Sequence, residues 1–233
     1  MQNSLTVHVA DGSFDCYVAR PAAASAPAPV IIVLQEIFGV NAGIRSIADG
    51  YAAAGYIAVA PDLFWRAEPG LYMSEKKEED WAKGFAIYTA YDFGGGVHDI
   101  AATVAAARTL EGASGKVGVT GYCLGGLMTF LTAARADADV FVAYYGGSTE
   151  QYATEAGAVK RPLLYHLAGE DEYIGKDAQA LINKQLGANP LIELHTYPGC
   201  NHAFARPDGN HYDAAAATLA NSRTAAFFKR HLG

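Results

Sequence analysis

The chain has 233 residues, about half of them hydrophobic and 18% charged, with a formal net charge of −7. That length suits one large α/β domain with a substantial core, and the acidic balance makes nucleic acid a poor partner. No run is apolar for long enough to span a bilayer, and Met1-Gln2-Asn3-Ser4-Leu5 lacks a basic stretch followed by an apolar one, so a cytoplasmic protein without membrane association is expected.

The runs Leu5-Thr6-Val7-His8-Val9 and Phe14-Asp15-Cys16-Tyr17-Val18-Ala19 flank an Asp11-Gly12 turn and read as a hairpin. Residues 21–29, rich in Pro and Ala, read as a short surface connection. Val30-Ile31-Ile32-Val33-Leu34 is a continuous apolar run, typical of a strand buried on both faces. A helix is predicted over 41–54, a second buried strand over 57–60 stopped by Pro61-Asp62, and a looser pattern over 63–96. Within it, the charge run at 75–80 reads as a solvated helix face. Helical periodicity returns over 97–110. Further strands are expected at 117–120, 140–147, 162–169 and 191–197, and a closing helix over 212–231. Strands alternating with helices imply a mostly parallel central sheet with helices on both faces, and residues 1–233 read as a single domain.

On such a sheet, chemistry collects where strands end. After the strand at 117 comes Gly121-Tyr122-Cys123-Leu124-Gly125-Gly126, the Gly-x-Ser-x-Gly nucleophile elbow with cysteine in place of serine. Small neighbours at Gly121 and Gly125 leave room for the helix to pass the strand, and a helix N-terminus favours a thiolate. The plainer reading of Cys123 is a small core cysteine. Cys16, Cys123 and Cys200 are an odd number at no metal-ligand spacing, which fits free thiols in a reducing compartment and no metal.

A later strand is followed by Gly169-Glu170-Asp171-Glu172, and the last by Cys200-Asn201-His202. Nucleophile, acid, histidine is the chain order of the α/β-hydrolase triad. Imidazole takes the thiol proton and later activates water, and a carboxylate on its far nitrogen fixes the tautomer. Spacing alone does not choose among the three acids. Of seven histidines, His166 and His195 lie inside strands as structural groups would, and only His202 falls in a Gly/Asn loop directly after the final strand. The backbone N–H groups of Leu124 and Ile37 are the expected oxyanion donors. Glu36 is either a carboxylate aimed into the site or a helix-start charge, and Arg206 either a clamp for a substrate carboxylate or a surface arginine.

Together, Gln35-Glu36-Ile37-Phe38-Gly39, the cysteine elbow, Gly169-Glu170-Asp171 and His202-Ala203-Phe204-Ala205-Arg206 resemble the dienelactone hydrolase (carboxymethylenebutenolidase) family over nearly the whole chain. The resemblance implies a cofactor-independent α/β-hydrolase without a large lid, with Cys123, Asp171 and His202 as triad. It implies Glu36 as the carboxylate that holds the resting thiol and takes its proton when substrate binds. It also implies Ile37 and Leu124 as oxyanion donors, Arg206 as a contact for the substrate carboxylate and Tyr144 as an aromatic near the pocket; Tyr144 and Phe38 are expected to join Arg206 in binding substrate. One departure stands at Trp81, where the best-known members carry a second arginine; Lys83 is the only nearby cation, and it does not replace a bidentate arginine. Trp81 is then an apolar wall, with Phe85 nearby, suited to a larger or less charged ester.

The expected activity is therefore cysteine-dependent opening of a lactone or ester, foremost 4-carboxymethylenebut-2-en-4-olide (dienelactone) to maleylacetate in the degradation of catechols or chlorocatechols. Two alternatives stand beside it: a broader carboxylesterase or other lactonase with the same triad, and a non-catalytic ligand-binding protein of the same fold. The expected partner is a small lactone or ester, and the expected assembly a monomer or small homo-oligomer.

Overall fold

A computed structural model describes residues 4–22 and 27–233. The opening hairpin forms as the alternation predicts: β1 (Ser4–Val9) pairs antiparallel with β2 (Gly12–Ala19), Val9 facing Gly12 across the Ala10-Asp11 turn. Of the connection at 21–29, positions 23–26 lie outside the described residues. β3 (Ala28–Leu34) and β4 (Ile57–Pro61) pair parallel, and both are almost wholly buried, as their unbroken apolar runs require. Between them lies α1 (Ala42–Ala53), whose first turn is capped by the Asn41 side chain accepting from the Ile44 amide at 3.2 Å.

Two helices follow. α2 (Glu78–Thr89) begins in the middle of the charge run, so Glu75, Lys76 and Lys77 precede it while Glu78, Glu79 and Asp80 fill its first turn, where the helix dipole favours acids. α3 (Phe93–Arg108) starts four residues before the periodicity at Val97, across Gly94, Gly95 and Gly96. Those glycines weaken the helical signal, and the buried stripe Val97, Ile100, Val104 and Ala107 supplies the packing that overrides it.

The chain divides into two compact units, residues 1–119 and 120–233, within β5 (Ala113–Tyr122). In the first, the strand order is β1-β2-β4-β3, with β2 antiparallel to both neighbours. The second contains α4 (Leu124–Arg135), β6 (Val140–Tyr144), a short α5 (Thr149–Tyr152) running into a 3-10 turn (Ala153–Ala158), β7 (Leu163–Ala168), α6 (Lys176–Leu186), β8 (Ile192–Tyr197) and α7 (Ala214–Leu232). Its strands run parallel in the order β6-β7-β8, Tyr144 opposite His166 and Ala168 opposite Tyr197. α4 is buried from Leu124 to Ala133, the mark of a helix enclosed on every side. Among the described residues, no helix is long and apolar enough to cross a membrane.

Candidate active site

The junction of β5 and α4 is strained. Cys123 has φ 54 and ψ −113, a conformation that costs a side-chain-bearing residue on the order of 1–3 kcal/mol and persists only where surroundings enforce it. Two backbone bonds do so here: the Cys123 amide donates to Tyr144 O at 3.1 Å, and Cys123 O accepts from the Leu127 amide at 3.1 Å. Glycines make the approach possible. A Cβ on Gly121 would stand 2.1 Å from Gly125 O, and one on Gly126 2.2 Å from Tyr144 O. Gly121 has the steric role expected of it, and Gly126 adds a second, against the end of β6. The result is a cysteine turned out of the chain at the first turn of a helix, with the Leu124 amide at a position that lacks an intrahelical acceptor.

Exposure separates the three thiols. Cys123 is half-buried, while Cys16 and Cys200 are buried. Burial pushes the Cys16 thiol far up, with Asp15 and Asp62 adding to it, and burial followed by Asp213 raises Cys200.

The loops after β7 and β8 bring acid and base together. Both Asp171 oxygens lie 3.0 Å from His202 Nδ1, and the Asp171 side chain is fully shielded from water. Asp171 Oδ1 also accepts from the Tyr173 and Ile174 amides at 2.9 and 3.2 Å, which fixes the carboxylate before it meets the ring. Its neighbours behave as solvated charges: Glu170 pairs with Lys176, Glu172 lies 3.5 Å from His211, and both side chains are about half exposed. Asn201 Oδ1 joins the loops by accepting from the Glu172 amide at 3.0 Å and the His202 amide at 2.6 Å.

His202 Nε2 is buried with no hydrogen-bond partner. Burial disfavours the charged ring, yet the charge and hydrogen-bond interactions with Cys123 and Asp171 more than offset it, holding the His202 pKa up at about 10. A cysteine beside an imidazole that a carboxylate backs is an arrangement suited to nucleophilic catalysis. Two rings that the sequence does not single out complete this side: Tyr145 and Tyr173 stand edge-to-face on His202, with centroids 5.2 and 4.9 Å away.

Arg206 is half-buried four residues beyond His202, its amide donating to Ala203 O at 2.9 Å. Tyr144 is fully buried, and its hydroxyl lies 3.0 Å from Asn221 Oδ1 and 2.6 Å from Thr224 Oγ1 on α7. His166 belongs to the same buried group, with Nδ1 2.8 Å from the Tyr197 hydroxyl and Nε2 2.9 Å from Thr224, as a structural histidine should.

In the first unit, Gln35, Glu36, Ile37 and Phe38 are all buried after β3. Gln35 Oε1 accepts from the Leu63 amide at 3.1 Å, the Met73 amide donates to Phe38 O at 3.0 Å, and a Cβ on Gly39 would fall 2.0 Å from Leu71 O. α2 packs on this loop: Gly84 lies against Ile37 O, and Trp81 stands edge-to-face on Phe38 at 4.9 Å and stacks on Phe85 at 5.6 Å. The Trp81 indole N–H is committed to Glu75 O at 2.7 Å, so the ring offers its neighbours an apolar surface. Lys83 Nζ is paired with Glu68 at 2.6 Å. Among the described residues, no group of three or more His, Cys, Asp or Glu could hold a metal ion.

A model of the dienelactone hydrolase family matches residues 14–232. The chain is 42% identical over 229 residues to a putative carboxymethylenebutenolidase of Azospirillum brasilense, covering 96% of each. It is 39% identical over 224 residues to a carboxymethylenebutenolidase of Pseudomonas putida, covering 96% of this chain and 94% of that one. Among solved structures, a putative dienelactone hydrolase from Klebsiella pneumoniae subsp. pneumoniae MGH 78578 matches with a TM-score of 0.85 and 27% identity over 97% of each chain. The chain belongs to the dienelactone hydrolase family, carboxylic ester hydrolases of the α/β-hydrolase fold.

Proposed function

We propose that this protein opens a lactone or ester by attack of Cys123 Sγ on the carbonyl carbon, with dienelactone as the foremost substrate and maleylacetate as product. The observation that carries the reading is the strained Cys123 at the β5–α4 junction, with His202 held by Asp171 in the loops after β7 and β8. The thiol proton leaves sulfur before attack, and the His202–thiolate pair is the reactive form. As sulfur bonds to carbon, negative charge gathers on the carbonyl oxygen and is met by the Leu124 and Ile37 amides. The intermediate then collapses, breaking the ring C–O bond and expelling an enolate, which takes the His202 proton and becomes the ketone, leaving the imidazole neutral. Water, deprotonated by His202, then cleaves the thioester and returns the thiol.

From the family motif, Glu36 takes the thiol proton when substrate binds, and Arg206 pairs with a substrate carboxylate. Phe38 and Trp81 form apolar walls, and Tyr144 supports the site from β6. The family match from 14 to 232 supports reading residues 1–233 as one domain. We place the protein in the cytoplasm, acting on a small molecule without a cofactor, as a monomer or small homo-oligomer.

A broader carboxylesterase is the second reading. It is favoured by the Phe38–Trp81–Phe85 cluster and by Lys83 being paired with Glu68, which leave an apolar wall where a second arginine would hold a carboxylate. A purely binding protein is disfavoured, because it has no use for a thiol, an imidazole and a carboxylate in sequence. Turnover of dienelactone and of p-nitrophenyl acetate on purified protein decides between the two enzymes. Lactone opening at the higher kcat/KM supports the first reading, and ester hydrolysis with no lactone opening removes it.

A further inference from the structure

Tyr173 keeps 46% of its surface in water, yet its ring stands on His202 with the two planes at 83°. Its main-chain amide donates to Asp171 Oδ1 at 2.9 Å, so one residue touches both the acid and the base. His202 has a reason to need such a neighbour. Its ring is tied firmly on one edge only, by Nδ1 to Asp171, while the buried Nε2 makes no bond to oxygen or nitrogen and is left to the Cys123 sulfur. The torsion that turns an imidazole about its Cβ–Cγ bond is broad, so a ring tied at one edge is free to rock unless its faces are packed. Tyr145 packs one contact and is itself locked, fully buried with rings of Tyr144 and Phe204 against it. Tyr173 supplies the other from an exposed loop.

We propose that the Tyr173 ring is a positioning group: it holds the His202 imidazole in the plane in which Nδ1 meets Asp171 and Nε2 meets the Cys123 sulfur. The inference rests on reading Cys123, His202 and Asp171 as the reacting set. It assigns the work to the aromatic ring and not to the hydroxyl. Because the amide that pins Asp171 belongs to the backbone, side-chain replacement removes the ring contact and leaves that hydrogen bond in place.

The test compares Tyr173→Phe and Tyr173→Leu with the wild type by steady-state kinetics on p-nitrophenyl acetate and by the low-field proton NMR resonance of His202 Nδ1–H. Tyr173 is half exposed, so both variants should fold, and thermal melting verifies it. Tyr173→Leu should lower kcat by about 10- to 100-fold with little change in KM, the scale expected when a reacting group drifts by a fraction of an ångström to an ångström. The same variant should broaden or lose the Nδ1–H resonance, while Tyr173→Phe retains both the resonance and most of kcat. Three results would overturn the proposal: an unchanged kcat and resonance in Tyr173→Leu, a rise in KM at constant kcat, or a Phe variant as damaged as the Leu variant. If the wild type turns over neither dienelactone nor p-nitrophenyl acetate, the hydrolytic reading falls by itself, and the resonance still decides for or against Tyr173.

Discussion

Replacing Asp171 by asparagine keeps the shape of the side chain and removes its charge. The new Oδ1 would still satisfy the Tyr173 and Ile174 amides, at the 2.9 and 3.2 Å now observed. That orientation turns the amide NH2 toward His202 Nδ1, where both oxygens now lie at 3.0 Å. Two donors cannot face each other, so Nδ1 gives up its proton and Nε2 carries one, the wrong tautomer for accepting a proton from sulfur or water. The lost interaction is a charge-assisted hydrogen bond in a fully shielded place, worth about 1.5–3 kcal/mol by itself. Adding the tautomer penalty, we expect kcat to fall about 10³- to 10⁴-fold, equivalent to about 4–5.5 kcal/mol of barrier. The pH profile carries an independent signature. In the wild type, Cys123 and Asp171 raise the His202 pKa to about 10 against the effect of burial. Without the carboxylate the proton leaves at lower pH, so the alkaline limb of the rate profile moves down. Stopped-flow hydrolysis of an aryl ester across the pH range measures both effects. Activity within about tenfold of wild type, with the alkaline limb unmoved, would refute Asp171 as the partner of His202.

Gly126→Ala would bring a Cβ to 2.2 Å from Tyr144 O and 3.0 Å from Gly146 N, all of it main chain, so the elbow must open. We expect a loss of about 3 kcal/mol or more and a Tm lower by roughly 6–12 °C, whereas Gly147→Ala, with nothing within 4 Å, should leave Tm unchanged. His166 is held neutral by burial, and His195 and Arg223 reinforce the depression of its pKa. Its unfolded counterpart takes up a proton below about pH 6.5, so stability should fall as pH drops through that value, by up to about 1.4 kcal/mol per unit. Urea unfolding midpoints of wild type and His166→Gln, compared on the acid side, measure this, and equal slopes would remove His166 as the cause. Trp81→Arg should lower KM for a carboxylate-bearing lactone about tenfold without lowering it for neutral aryl esters; equal changes on both would place Trp81 outside substrate selection.

The elements that sequence reading recovers best are those with the simplest burial. β3, β4, β6 and β7 are enclosed on both faces, and their unbroken apolar runs say so. α6 escapes because only Gln179, Ile182 and Leu186 are buried while Leu181 is exposed among polar residues, leaving a thin apolar stripe that is hard to notice. The start of α3 hides behind its glycines, and the start of α2 inside a run of charge. At the site, the elbow is legible because its demand for small residues is local. The choice of Asp171 over Glu170 and Glu172 is not, since all three share a loop and only burial separates them. Tyr173 and Tyr145 are invisible for a related reason: a ring packed on a histidine 29 or 57 positions away is a product of the fold. The pairing of Lys83 with Glu68 likewise depends on where α2 docks.

The central claim is that Cys123 carries the acyl group. Intact-protein and peptide mass spectrometry after rapid acid quench of a reaction with p-nitrophenyl acetate tests it directly. The account predicts one acyl group on the peptide containing Cys123, formed before steady state, with both adduct and hydrolysis abolished by Cys123→Ala. Acylation at another residue, or hydrolysis by Cys123→Ala at the wild-type rate, would contradict it.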